Sequence, residues 1–182
     1  MKLETLCEGF YASHFIPTII LNNNEIEKIY CSYDYFKDLF NNYKNRFTNI
    51  KKYPAVVNSS TLGLYGVVKD HKTDKLIIFG PVYSKVPDND DLLRFISKSF
   101  ASINDEEELL NFLRSTPNYN YNHFINLLTF VEYIINNNQI QITDVFFDEK
   151  VQDSIYLKQI KSEIDYNTQE HGTYYFEQEM VD

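Results

Sequence analysis

Residues 62–84 read LGLYGVVKDHKTDKLIIFGPVYS. Two runs rich in aliphatic and aromatic residues flank the polar string Asp70-His71-Lys72-Thr73-Asp74, the composition of two strands joined by a solvated turn. Apolar groups fall on both sides of the first run, with Leu62, Leu64 and Val68 at one parity and Tyr65 and Val67 at the other. Strands of this kind are covered on both faces, or line a cavity on one. Gly63 and Gly66 remove side chains from that strand and mark a bulge, tight packing or the close approach of a ligand. Gly80-Pro81 interrupts the second run and predicts a bend or an edge position.

Upstream, AVVNSS after Pro54 reads as a third strand. The stretch FIPTIILNNNEIEKIYC (residues 15–31) reads as a hairpin turning at Asn22-Asn23-Asn24, with Pro17 placing its first strand at or near an edge. Between hairpin and strands, Phe36, Leu39, Phe40, Tyr43 and Phe47 predict one helix over 33–47, capped by Asp34 or Ser32. Leu3, Leu6, Cys7, Phe10 and Tyr11 predict a short helix at the start.

Beyond residue 88 the period changes from two to 3.6. Asp88 or Asn89 caps a helix carrying Leu92, Leu93, Ile96 and Phe100. Asn104 with Glu107 resembles a capping box for ELLNFLRS, which stops before Pro117. Asn120 or Asn122 opens a longer helix that turns Phe124, Leu127, Leu128, Val131, Ile134 and Ile135 inward and ends at Asn136-Asn137-Asn138. QIQITDVFFD is a connector with a short strand or turn. In the last thirty or so residues, Leu157, Ile160, Ile164, Asn167, His171 and Tyr174 follow heptad spacing. They predict a helix that folds back on the domain and then frays, or one that dimerises or carries a signal, with disorder as the third alternative. The expected organisation is a domain over 1–148, with its sheet region at 15–84 and a helical region at 88–138, then a polar helical linker over 149–182.

The chain has 182 residues, 43% hydrophobic and 24% charged, which excludes wholesale disorder. Its formal net charge of −9 repels phosphate backbones and argues against nucleic-acid binding by this chain. Cys7 and Cys31 match no disulfide, metal or redox spacing. Glu4 and Glu8 break the apolar character of the N-terminus, so no signal peptide is expected, and no run is long enough to span a bilayer. The expected location is the cytoplasm, without membrane contact.

No catalytic motif emerges. His14, His71, His123 and His171 do not pair at ligand spacing, and no nucleophile elbow or Gly-rich phosphate loop is present. Lys44, Arg46, Lys51 and Lys52 read as a solvated helix end and loop. Acidic pairs such as Asp90-Asp91 sit at helix starts, where they offset the macrodipole. No catalytic residue, metal or cofactor is expected.

A short helix, a hairpin, a helix and a three-stranded run make an α+β fold, a mostly antiparallel PAS/GAF-like sheet with helices on a face. The strings GLYGVVKDHKTDKLIIFGPVYS (63–84) and LLNFLRSTPNYNYNHFINLLTFVEYIINN (109–137) resemble the N-terminal sensory region of AraC-type transcription regulators from low-GC Gram-positive bacteria. HGTYYFEQEMVD (171–182) is similar to the polar stretch that precedes their DNA-binding part. The resemblance implies a regulatory domain that binds a small-molecule effector, forms a homodimer, and contacts DNA only through two helix-turn-helix units not contained in these 182 residues. It carries over no ligand residue. From the strand pattern, any pocket is expected at Tyr65, Val67, Phe79 and Tyr83, with Tyr33 and Phe36 as its lid; a solid aromatic core explains the same six residues. Leu157, Ile160 and Ile164 are the expected dimer or linker helix. Two other readings remain: a stand-alone acidic interaction module that masks a DNA-binding partner, and an enzyme of unrecognised type.

Overall fold

The computed structural model describes residues 2–34, 36–58, 63–99 and 106–147. In chain order these form α1 (Leu3–His14), the hairpin β1 (Thr18–Asn22) and β2 (Glu25–Tyr30), α2 (Phe36–Asn41) and α3 (Lys44–Thr48), then β3 (Ala55–Asn58), β4 (Leu64–Lys69) and β5 (Leu76–Val82). Three helices follow, α4 (Asn89–Ser99), α5 (Glu106–Ser115) and α6 (Tyr121–Asn136), and after a single 3-10 turn at Ile142–Asp144 comes β6 (Phe146–Phe147). The strands make one sheet in the order β2-β1-β5-β4-β3-β6. Every pairing is antiparallel except β3 with β6. The fold is α+β.

Period-two alternation splits the strands between two apolar layers. Ile19, Leu21, Val57, Tyr65, Val67 and Ile78 face one layer, which α2, α3, α4 and α5 cover. Ile20, Val56, Leu64, Val68, Ile77 and Phe79 face the other, covered by α1 and α6. Helices therefore lie on both faces of the sheet, where the sequence pattern alone predicted helices on a face. The doubly apolar strands are explained by cover on both sides.

β5 is buried at all seven positions and lies between β1 and β4, not at an edge. Of the two expectations for Gly80-Pro81, the bend is what occurs. β1 pairs with β5 only from Leu76 to Phe79, and the Gly80 amide donates to Pro17 O at 2.8 Å. Pro81, which has no N–H, falls just past that ladder, opposite the register shift in β4 between Leu64 and Gly66. Pro17 immediately precedes β1, which lies one strand in from the edge.

Gly66 lets α6 approach β4: a Cβ there would run into the Leu128 side chain. α6 begins at Asn120, whose side chain accepts from the Asn122 amide, and ends at Asn137 in the left-handed conformation. Asp88 receives the Asp91 amide at 2.8 Å ahead of α4.

Three local expectations are corrected. The helix over 33–47 is two helices, because the chain turns at Asn42-Tyr43 and brings Phe47 parallel to Phe40, with ring centroids 5.1 Å apart and planes 8° off. Asn41 and Asn42 are weak helix formers that hydrogen-bond readily to nearby backbone, so the break is local chemistry as well as packing. Leu93 is 53% exposed, and Phe95 takes the inward place beside Leu92 and Ile96. Along α6, Ile134 and Leu127 are only half-buried, while Ile125 and Glu132 are inside. Leu62, Phe100, Asn104 and the seam Leu157, Ile160 and Ile164 lie outside the described residues.

Candidate functional site

Six aromatic rings run through the layer under α2, α3 and α5. Tyr33 stacks on Phe112 at 4.8 Å, Phe112 meets Phe36 at 5.5 Å, and Phe36 meets Phe40 at 6.3 Å. Phe40 stacks on Phe47, which meets Tyr65 at 5.0 Å. Offset and tilted arrangements at these separations are the favoured geometries for ring pairs. Four of the six expected pocket residues, Tyr33, Phe36, Tyr65 and Val67, are thus brought together on one face, all buried and packed against one another. Burial pushes the Tyr65 phenol well above its ordinary value.

The other two lie elsewhere. Phe79 is in the opposite layer, 4.5 Å from Phe10 of α1. Tyr83 sits past the end of β5, where its amide donates to Pro117 O and its carbonyl accepts from the Tyr119 amide, both at 2.8 Å. Its phenol is pushed up to about 12, by burial first, with Thr116 opposing. Tyr83 thereby fastens the segment between α5 and α6 to the sheet.

A cleft of about 240 Å³ opens at the other end of the strands, lined by Leu21, Asn23, Asn24, Thr48, Tyr53, Lys69, Asp74 and Leu76. Two hairpin turns build it, together with the end of α3 and the loop after it. Asn23 and Asn24 take positive φ values of 49° and 65° at the β1–β2 turn, and Asp74 takes 63° at the β4–β5 turn. Asn and Asp adopt this region more readily than other side-chain-bearing residues. Asp70 organises the second turn, accepting the Lys72 amide at 2.9 Å and the Thr73 hydroxyl at 2.6 Å. The His71 amide donates to Asn136 Oδ1 at 3.0 Å, tying the turn to the end of α6. Lys69 Nζ reaches Asp74 Oδ1 at 2.6 Å, and that hydrogen bond raises the lysine above its ordinary value. Tyr53 is raised by burial, which Lys69 opposes and Asp74 reinforces. The cleft combines an apolar floor at Leu21 and Leu76, one phenol, two amides, a hydroxyl and a paired cation and anion. Such a set suits a small polar molecule held by hydrogen bonds.

Among the described residues, no three His, Cys, Asp or Glu side chains come together as a metal set. Burial, with Glu4 adding, pushes the Cys7 thiol up to about 12, and burial pushes Cys31 up to about 11. Both remain thiols at neutral pH and are poor nucleophiles in that state. His123 is exposed. In the basic cluster, Lys44 pairs with Glu25 at 3.7 Å and Arg46 donates to Asn58 O at 3.4 Å, while Lys51 and Lys52 are exposed. No helix among the described residues is long and apolar enough to cross a membrane.

Glu132 was missed by sequence reasoning. It is 1% exposed on α6, its Oε1 accepting from Asn138 Nδ2 at 3.4 Å and its Oε2 without a hydrogen-bond partner among the described residues. The signal was there, because Glu132 follows Leu128 by four positions and precedes Ile135 by three, on the inward face. The cleft was missed as well, since its residues belong to turns far apart in sequence.

Comparison of the chain with protein-family models, curated proteins and solved structures finds no match.

Proposed function

We propose that this chain is the regulatory, ligand-sensing and dimerising domain of an AraC-type transcription regulator, with a PAS/GAF-like core. The observation that carries the reading is the strand order of the sheet. The β1–β2 hairpin is followed by a helical crossover and the β3–β4–β5 meander, and β5 returns to lie beside β1. The order of elements in the sequence reads as a mostly antiparallel α+β sheet, and the resemblance in 63–84 and 109–137 adds the regulator class to it. An acidic chain of net charge −9 leaves DNA contact to an attached unit.

In this reading the effector enters the cleft at Tyr53, Lys69 and Asp74, where the turns of both hairpins and the end of α3 meet. The aromatic layer behind it is the rigid support. An effector acts by binding one arrangement of those turns better than another, and differential affinity of about 1–3 kcal/mol is the usual scale of such coupling. The region around Leu157, Ile160 and Ile164 passes the bias onward. The gene's reading frame tests the class: two helix-turn-helix units encoded after Asp182 are expected, and a stop codon there would count against it.

A further inference from the structure

We propose that the outer face of α6 is the surface on which two copies of this chain meet. α6 reads YNHFINLLTFVEYIIN, and its single Lys, Arg, Asp or Glu residue, Glu132, is 1% exposed. The longest described helix therefore shows solvent no such charge, in a chain that is 24% charged. Phe130 is 59% exposed and Tyr133 49%. Half-buried Leu127 and Ile134 flank Phe130, and exposed His123 and Asn137 close the strip at either end. His123, Leu127, Phe130, Ile134 and Asn137 follow 4-3-4-3 spacing, the repeat that keeps one side of a helix against a second helix.

Scattered single apolar residues on a surface are ordinary. Charge selects a second copy as the occupant here. Two chains of net charge −9 repel each other, and a two-fold contact sets each patch against itself, so any charge near the axis meets its own like. A strip free of Lys, Arg, Asp and Glu is where two acidic copies approach without that penalty. Phe130 and Tyr133 supply the aromatic anchors on which such contacts concentrate their energy. Sixteen residues of helix are about 24 Å long. One helix per copy is a small interface, so the dimer belongs to the weak, reversible class. The inference takes only the dimer from the regulator reading and names its surface; no effector is needed to test it.

The test is sedimentation equilibrium of the full 182-residue chain from about 1 µM to 1 mM, the span in which contacts of this size form. The average mass is expected to rise from one chain toward two, and to rise further in added salt, because screening removes the repulsion and leaves the apolar contact. Phe130→Lys, and separately Tyr133→Lys, should weaken the dimer at least about tenfold while leaving the melting temperature near that of the parent, since both side chains are already exposed. Replacing Leu157, Ile160 and Ile164 together by Ser should leave the dimer in place. Mass of one chain at every concentration overturns the proposal, as does a dimer indifferent to both lysine variants or one lost only in the triple-serine chain. Pelleting of a monomeric chain with phosphatidylcholine vesicles would give the strip a different occupant and overturn it too.

Discussion

Asp70 holds the β4–β5 turn through hydrogen bonds to its carboxylate, and its ionisation reports on them. Burial works against the charge, but the Thr73 hydroxyl and the Lys72 and Thr73 amides outweigh it, so the carboxyl lies below its ordinary 3.8. A depressed carboxyl contributes stability above its unfolded-state value and loses it as pH falls through the folded one. Asp70→Asn should therefore destabilise the chain by about 1–2 kcal/mol at neutral pH. In urea titrations the gap between parent and variant should close as the medium is acidified below 3.8; a gap unchanged by acid would mean that the carboxylate charge is not what holds the turn. Glu132 is buried with one side-chain oxygen lacking a hydrogen-bond partner among the described residues. A polar atom buried without a partner is costly, so Glu132→Met, which roughly keeps the volume, should raise stability by about 0.5–2 kcal/mol in the same urea unfolding. A marked loss would reveal a partner for Oε2.

At the scale of elements, α6 packs tightly on β4 at Gly66. Gly66→Ala forces a methyl into Leu128 and should cost about 1–3 kcal/mol, read from thermal or urea unfolding. Combining it with Leu128→Ala should cost less than the sum of the two changes, because the second opens the space the first needs. Strict additivity would place α6 farther from the sheet. The hairpin, the three-stranded run and the caps of α6 could be read from sequence because each is encoded locally, by alternation, by turn residues or by Asn at both helix ends. The break between α2 and α3 could not, since Phe36, Phe40 and Phe47 fit one continuous helix as well as two stacked ones. β6 is the short strand expected in QIQITDVFFD, whereas its partner β3 was not legible from those residues. The pocket expectation divided for a related reason. Parity shows which residues of one strand share a face, whereas register decides how two strands align. Gly66 pairs with Phe79, so Phe79 lies on the α6 side while Tyr65 and Val67 face α2 and α5.

At the scale of the whole described domain, helices cover both faces of the sheet, and the cleft at its turns is open to a small ligand. The aromatic layer is packed ring to ring, which makes it a support for the turns. The cleft gathers residues from both hairpins, the end of α3 and the loop after it, and no stretch of sequence announces it. A ligand bound there would couple the two hairpins, and through Asn136 the end of α6, to a single event. The most direct measurement is the melting temperature of the 182-residue chain across a panel of small polar metabolites, repeated with Lys69→Met and Asp74→Asn together, the asparagine being at ease with the positive φ at that position. The sensor account predicts a compound that raises the melting temperature with concentration by mass action, an effect lost in the double variant while its unliganded melt stays close to the parent's. A compound that stabilises parent and double variant equally, or a panel to which the parent does not respond at all, would contradict it.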